Sequence, residues 1–446
     1  MKYFGTDGIR GTANTYPMTA EIALKIGMAI AHTFKNNGHN GHRVLIGKDT
    51  RLSGYMLESA LTAGLTSMGM NVLLVGPLPT PAISFLTRAL RCDAGIMLSA
   101  SHNPAQDNGI KLFDHLGRKL SKEKESDIES LIENPVDLVS AGQIGRATRI
   151  DDAHGRYAEH LKARVPSGVR FDGLRIVLDA ANGAAYKVAP AVLWELGAEV
   201  IPLGVTPNGR NINEACGSTH PQAAAAKVLE TRADLGICLD GDADRVILID
   251  NKGQIVDGDQ LLAVLAEDAK ARGDLKGPLV GTVMCNVGLE SFLAERDIPF
   301  VRSAVGDKNV VEKMREKGAT LGGENSGHII LGQHGATGDG LLAGLQVMAA
   351  LRKSQKTAAE FLHRFEPAPQ MMKNVRVKRG SKPHETKNVQ NIIKAEEEKI
   401  KTTGGRVLVR ASGTEPLIRV MAEGPDVKQL EKGIDAIIDA INAEPT

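Results

Sequence analysis

Asp240, Asp242 and Asp244 alternate in the run Asp240-Gly241-Asp242-Ala243-Asp244-Arg245, directly behind the apolar stretch LGICL. Three carboxylates this close repel one another, and a hard divalent cation relieves the repulsion through converging oxygen ligands. An EF-hand is excluded: positions six and twelve of such a loop require Gly and Glu, and here they are Arg245 and Asn251. A solvated acidic turn is the competing reading. Magnesium is the expected ion if the chemistry concerns phosphate.

Three further groupings carry reactive side chains. Leu98 to Pro104 reads LSASHNP and follows the apolar run Ala94–Met97, so two serines and a histidine sit at the end of a stretch that reads as a buried strand. Serine and asparagine before proline are ordinary turn chemistry, and Ser101 as a nucleophile on a stiff platform is the alternative. Lys111 follows ten residues later, close enough to fold back beside it. Gly323 to His328 places Glu324, Ser326 and His328 between glycines, a donor and acceptor set suited to sugar hydroxyls. Arg410 to Pro416 (RASGTEP) combines a guanidinium, two hydroxyls and a glycine, which suits a phosphate cradle. Near the start, Arg10 lies on the glycine-flanked stretch Gly5–Gly11, and Lys48, Asp49 and Arg51 lie in GKDTRLSG; taken singly, each reads equally well as a surface turn.

These loops need elements to hold them, and an internal repeat supplies the expectation. Three segments share one plan. Each has a first strand (HRVLIGKDTR, LRIVLDAANG, GPLVGTVMCNVG), a helical stretch, and a second strand (MNVLLVGP, AEVIPLGV, IPFVRSAVG). Further on comes a third strand that ends in the chemistry (DAGIMLSASHNP, ADLGICLDGDADR, ATLGGENSGHII). Strands alternating with helices predict βαβ units and mostly parallel sheets, with ligands beyond the carboxyl ends of the strands. RFEPAPQ reads as a linker. The strands and amphipathic helices after it predict a smaller α+β domain.

Composition sets the bounds. The 446 residues leave room for three to four domains of roughly 100–200 residues each. A formal net charge of +1 argues against broad binding to nucleic acid or an anionic membrane. Cys92, Cys216, Cys238 and Cys285 have no metal-type spacing, and Cys92 and Cys238 lie in or beside apolar runs, which fits a reducing cytoplasm. MKYFGTDGIRG has no apolar core of a signal peptide. The uncharged stretch Ser59–Thr87 contains three prolines and reads as strand and turn instead of a membrane span.

In order along the chain, SASHNP, DGDADR, GENSGH and RASGTEP resemble the four motifs of the α-D-phosphohexomutase superfamily, and the resemblance covers essentially the whole chain. FGTDGIRG, SASHNPAQDNGIKLF and ATGDGLLAG are more similar to its glucosamine branch than to its phosphomannomutase/phosphoglucomutase branch. The resemblance implies three related α/β domains (1–150, 151–251, 252–366) with mixed, mostly parallel sheets. A C-terminal α+β domain (367–446) completes a central cleft. It implies isomerisation of glucosamine 6-phosphate to glucosamine 1-phosphate for UDP-N-acetylglucosamine and the cell envelope. Glucosamine 1,6-bisphosphate would be the intermediate and the priming activator, and a kinase would be another route to priming. The partners implied are a small sugar phosphate, with no nucleic acid and no membrane, in a monomer or homodimer.

Carried over by position, Ser101 is the phosphorylated residue, and with Asp240, Asp242 and Asp244 it holds Mg²⁺. Lys111, His102, Arg10, Arg245 and His328 fall near the transferring group. Glu324 and Ser326 contact sugar hydroxyls; Arg410, Ser412, Gly413, Thr414 and Arg419 hold the phosphate that is not reacting. Two positions depart from the pattern: Lys308 stands where Arg is expected after V-G-D, and Cys285 where Ser is expected in M-S-N. Alternatives are a phosphoglucomutase or phosphomannomutase, a metal-dependent phosphatase with Asp240 as nucleophile, and a non-catalytic sugar-phosphate sensor.

Overall fold

The computed structural model describes residues 2–5, 7–35, 42–134, 137–378, 380–411 and 416–444. Its strands form four sheets. The first contains β1 (Ile9–Thr12), β2 (Arg43–Lys48), β3 (Asn71–Pro77), β4 (Ala94–Leu98), β5 (Asp107–Asp114) and β6 (Ala147–Arg149), in the order β1-β5-β4-β2-β3-β6. The second contains β7 (Arg175–Asp179), β8 (Glu199–Leu203), β9 (Leu235–Leu239), β10 (Val246–Asp250) and β11 (Ile255–Val256), ordered β11-β10-β9-β7-β8. The third contains β12 (Leu279–Thr282), β13 (Phe300–Ser303), β14 (Leu321–Gly323) and β15 (Ile329–Leu331), ordered β13-β12-β14-β15.

The three sheets repeat one arrangement, as the sequence pattern predicts. In each, the first strand of the repeat runs parallel to the third: β2 to β4, β7 to β9, and β12 to β14. The third strand then turns back as an antiparallel pair, β4 with β5, β9 with β10, and β14 with β15. The sheets are therefore mixed, and each reactive loop is the connection of an antiparallel pair. β4 and β9 are buried at every position. That explains their unbroken apolar runs, since a central strand covered on both faces has no polar side to show.

Two compact units divide the chain: Met1–Thr282 with Val301–His363, and Val283–Phe300 with Arg364–Thr446. No helix or strand covers 362–369, where the linker was expected. The second unit carries the fourth sheet, β16 (Gln370–Arg376), β17 (Arg406–Ala411) and β18 (Leu417–Glu423), all antiparallel in the order β16-β18-β17. The helix Val427–Ala443 starts at Asp426, whose side chain accepts from Gln429 N, a standard N-cap. It buries Leu430, Ile434, Ile437 and Ile441 at helical spacing into a core with Val389, Ile393, Ile418 and Val420.

The uncharged stretch Ser59–Thr87 resolves into the helix Ser53–Ser67, β3 and the helix Thr80–Ala89. Among the described residues, no helix is long and apolar enough to cross a membrane. Cys92 and Cys238 are buried free thiols.

Candidate active site

The Ser101 loop is held by backbone and buried charge. β4 delivers the chain into Ser99-Ala100-Ser101, and Ser101 adopts a left-handed conformation with φ 53°, uncommon for a residue other than glycine. Its backbone N–H donates to Ser99 Oγ at 2.9 Å, and Ser99 Oγ donates to Asp49 Oδ2 at 2.6 Å. Arg51 pairs with Asp49 at 2.8 Å. The Arg51 guanidinium also donates to the carbonyls of Ser101 (3.0 Å), Asn103 (2.8 Å), Asp107 (2.9 Å) and Pro104. Asn213 Nδ2 reaches the Ser101 and Asn103 carbonyls from the second sheet's domain, at 2.9 and 3.0 Å. GKDTRLSG is thus no surface turn: Lys48, Asp49 and Arg51 are buried. Ser99 is structural, and Ser101 is left with its hydroxyl pointing forward.

That hydroxyl donates to Asp240 Oδ2 at 2.6 Å, and His102 Nδ1 lies 3.4 Å from it. Asp240 belongs to the β9–β10 connection, which is buried at Asp240, Asp242 and Asp244. One ligand oxygen from each of the three lies within 4.8 Å of the others. Gly241 is required between them, because a Cβ there would stand 2.6 Å from the Ser101 carbonyl oxygen. Burial, then repulsion from Asp244 and Asp242, pushes the Asp240 carboxyl well above its usual range. Asp242 Oδ1 and Asp244 Oδ1 are buried without a hydrogen-bond partner. Unsatisfied buried carboxylate oxygens that converge, with only oxygen donors present, fit a hard divalent cation. Thr80 fixes Asp242 from the first sheet's side, through its hydroxyl and through its N–H to the Asp242 carbonyl at 3.0 Å.

Cations surround the carboxylates. Lys111 sits opposite Met97 in the β4–β5 register, buried, with Nζ 2.7 Å from Asp242, 3.4 Å from Asp244 and 3.3 Å from Asp7. Burial works against its charge, but Asp242, Asp7 and Asp244 together raise its pKa, so it is an ammonium. Asp7 also pairs with Arg10 and with Lys119, and Lys119 pairs in turn with Asp307. His328 Nδ1 stands 3.6 Å from Asp244 and its Nε2 3.8 Å from Asp307. Despite burial, Asp244 raises the His328 pKa. His102 goes the other way: burial, with Arg245 and Arg10 nearby, lowers it to about 4, so its imidazole is neutral at pH 7.

The β14–β15 turn completes this set. Its Gly327 accepts from Val246 N at 3.0 Å and has φ 87°, and a Cβ there would stand 2.0 Å from the Val246 carbonyl oxygen. Glu324 Oε1 accepts from Gly306 N at 3.0 Å. Ser326 is half-buried in the same turn. Arg245 and His328 form an isolated bridge, which aligns the end of the acidic loop with this turn. Lys308 turns to Glu125 at 3.0 Å instead.

Arg410 and Arg419 belong to the second unit, where they face each other across β17 and β18. Partial burial, then Arg419, lowers the Arg410 pKa, and Arg419 Nε is buried without a partner. Ser412, Gly413 and Thr414 lie outside the described residues. Cys285 is also in this unit, and its carbonyl accepts from Arg406 at 2.8 Å.

Asp7, Lys119, Asp307, Thr80 and Asn213 were not expected from the sequence. Asp7, inside the glycine-flanked stretch with Arg10, and Asp307, the Asp of V-G-D before Lys308, stood beside residues already singled out. The others join the site through pairings across more than a hundred positions of chain.

Comparison with known proteins adds independent findings. Family models described as phosphoglucomutase/phosphomannomutase alpha/beta/alpha domains I, II and III and C-terminal domain match residues 1–137, 155–253, 257–368 and 372–440. Phosphoglucosamine mutase of Zymomonas mobilis is 59% identical over 441 residues, covering 99% of this chain and 98% of that one. The Roseobacter denitrificans phosphoglucosamine mutase is 57% identical with the same coverage. Among solved structures, a phosphoglucomutase/phosphomannomutase family protein from Burkholderia thailandensis has a TM-score of 0.83 at 26% identity, covering 98% of this chain and 96% of that one. An Aspergillus fumigatus N-acetylphosphoglucosamine mutase, in complex with GlcNAc-6P and magnesium, shares the fold with a TM-score of 0.70 at 20% identity, covering 98% and 95%.

Proposed function

Since the chain belongs to the phosphoglucosamine mutases of the phosphoglucomutase/phosphomannomutase superfamily, we propose that it isomerises glucosamine 6-phosphate to glucosamine 1-phosphate with Ser101 as phosphoryl carrier. The observation that carries the assignment is the Ser101 hydroxyl held 2.6 Å from Asp240, in a loop of three converging carboxylates.

In the forward direction, the P–Oγ bond of phosphorylated Ser101 breaks as a P–O1 bond forms on glucosamine 6-phosphate, giving the 1,6-bisphosphate. After the intermediate turns around, Ser101 Oγ attacks the phosphorus on O6, and glucosamine 1-phosphate leaves. A magnesium ion held by Asp240, Asp242, Asp244 and the Ser101 phosphate would supply charge neutralisation at the seryl oxygen. Arg10, Lys111 and Arg245 offset charge on the phosphoryl oxygens, the main task in this chemistry. Lys111 or His328 assists proton transfer at the sugar hydroxyl; Lys111, already an ammonium, could only give a proton. The neutral His102 imidazole, 3.4 Å from the Ser101 hydroxyl, supports it. Glu324 and Ser326 accept and donate to sugar hydroxyls. The cross-strand pair Arg410 and Arg419, two like charges directly opposed, takes the phosphate that is not reacting, together with Ser412, Gly413 and Thr414. Glucosamine 1,6-bisphosphate, or a kinase, primes a chain whose Ser101 is unphosphorylated.

A coupled assay with glucosamine 6-phosphate and Mg²⁺, with and without bisphosphate, tests this on wild type and Ser101→Ala. Turnover by wild type, a phosphate on Ser101 by intact mass and at least ~10³-fold loss in the variant are expected. Full turnover by Ser101→Ala alongside an inactive Asp240→Asn would favour the phosphatase reading instead.

A further inference from the structure

One ammonium in the cluster has no task in phosphoryl transfer. Lys119 donates to Asp7 Oδ1 and to Asp307 Oδ2, joining the N-terminal loop to the start of the helix Asp307–Lys317. The two carboxylates differ in what else they hold. Asp7 also faces Arg10 and, at 3.3 Å, Lys111. Among the described residues, the cations paired with Asp307 are Lys119 and, at 3.8 Å, His328 Nε2, and its second oxygen accepts from Lys308 N at 2.7 Å. The Lys308 ammonium is turned away to Glu125. If Lys119 let go of Asp307, it would still be paired with Asp7. Asp307 is therefore the carboxylate of this cluster that can exchange one cation for another without leaving a buried charge unpaired.

Its position suits such an exchange. Asp307 directly follows Gly306, whose N–H donates to Glu324 Oε1 at 3.0 Å. Glu324 is the group proposed above for ring hydroxyls, and in a 2-amino sugar the ammonium sits on the carbon next to one that bears a hydroxyl. A carboxylate that reads the ammonium must adjoin the carboxylate that reads the hydroxyl. The other candidates are committed: Asp240, Asp242 and Asp244 to the cation loop, and Asp339 to Tyr157 and a helix cap. Burial opposes ionisation of Asp307, but Lys119 overcomes it and keeps the carboxyl charged. An ammonium is thus what this oxygen already holds.

Resting on the glucosamine reading, we propose that Asp307 is a specificity-determining residue that receives the 2-ammonium of glucosamine 6-phosphate in exchange for Lys119. Binding of glucosamine 6-phosphate and of glucose 6-phosphate is measured by calorimetry in Mg²⁺, on wild type and on Asp307→Asn. The variant is expected to lose roughly 10- to 100-fold more affinity for the amino sugar than for glucose 6-phosphate, the range for a hydrogen bond to a charged group. In wild type the preference for the amino sugar should shrink as pH rises through the amine's pKa, at about 8 if it behaves as an α-amino group; in Asp307→Asn it should not move. Equal losses for both sugars, or a pH-independent preference in wild type, overturns the proposal. The wild-type arm decides the matter even if the variant does not fold. Wild type that fails to turn over glucosamine 6-phosphate would overturn the mutase reading itself.

Discussion

Ser101, the proposed phosphoryl carrier, depends on a residue buried behind its loop. Arg51 is fully buried, pairs with Asp49 and donates to four carbonyls of the Ser101 loop. A planar fork can serve several acceptors at fixed angles, and a lysine ammonium cannot. Arg51→Lys should therefore keep the ion pair and lose the loop. We expect kcat to fall about 10²-fold, the cost of a misplacement on the order of 1 Å, and stability to fall by about 3 kcal/mol as buried carbonyls go unpaired. Steady-state kinetics and thermal melts would show it; unchanged kcat in a folded variant would mean the loop holds itself. The three aspartates stood out because their spacing alone demands an explanation, whereas Ser101 was singled out only through the resemblance, since LSASHNP by itself reads as a turn. Arg51 was visible only as a charged residue in a polar stretch, since nothing in GKDTRLSG says that it faces inward.

Among the elements, the helix Gly340–Ser354 ties the acidic loop to the helix Ala153–Lys162. Gly340 N donates to the Ala243 carbonyl, and Asp339 caps the helix through Leu342 N at 2.9 Å while accepting from Tyr157 at 2.8 Å. Burial raises the Asp339 carboxyl to about 6. Because its folded pKa lies above the unfolded value near 3.8, its contribution to stability is full below that value and is lost as pH rises through 6. Asparagine can cap and accept as the neutral acid does. Asp339→Asn should accordingly melt higher than wild type above pH 6, by on the order of 2 kcal/mol, with the gain vanishing near pH 4. A pH-independent offset in Tm would refute this. The strands of all three repeats were readable from their apolar runs and turn residues. Their direction was less so: a run of five apolar residues looks alike in a parallel strand and in the first arm of a hairpin, and only the register shows that β4, β9 and β14 turn back on themselves.

For the whole molecule, the expectation of mixed α/β sheets with a smaller C-terminal α+β part holds. What the sequence left open was the wiring between sheets, because contacts such as Thr80 to Asp242 or Asn213 to Ser101 span more than a hundred positions and leave no local pattern. Those contacts make the acidic loop a shared part of two domains, so a cation bound there stabilises the larger unit as a whole. Magnesium should raise the melting temperature relative to chelator, by an amount that grows with the logarithm of its concentration above the dissociation constant. Asp242→Asn should flatten that dependence. If the variant responded to magnesium as wild type does, the cation would be bound elsewhere.

Each of the four reactive stretches begins and ends on strands that are hydrogen-bonded to each other: β4 and β5, β9 and β10, β14 and β15, β17 and β18. Each tip is closed by its own strand pair, yet Asn213 to Ser101, Thr80 to Asp242 and Val246 to Gly327 tie the three tips of the larger unit across sheets. A substitution at one of these tips is therefore passed to the next, and the three turns constrain one another.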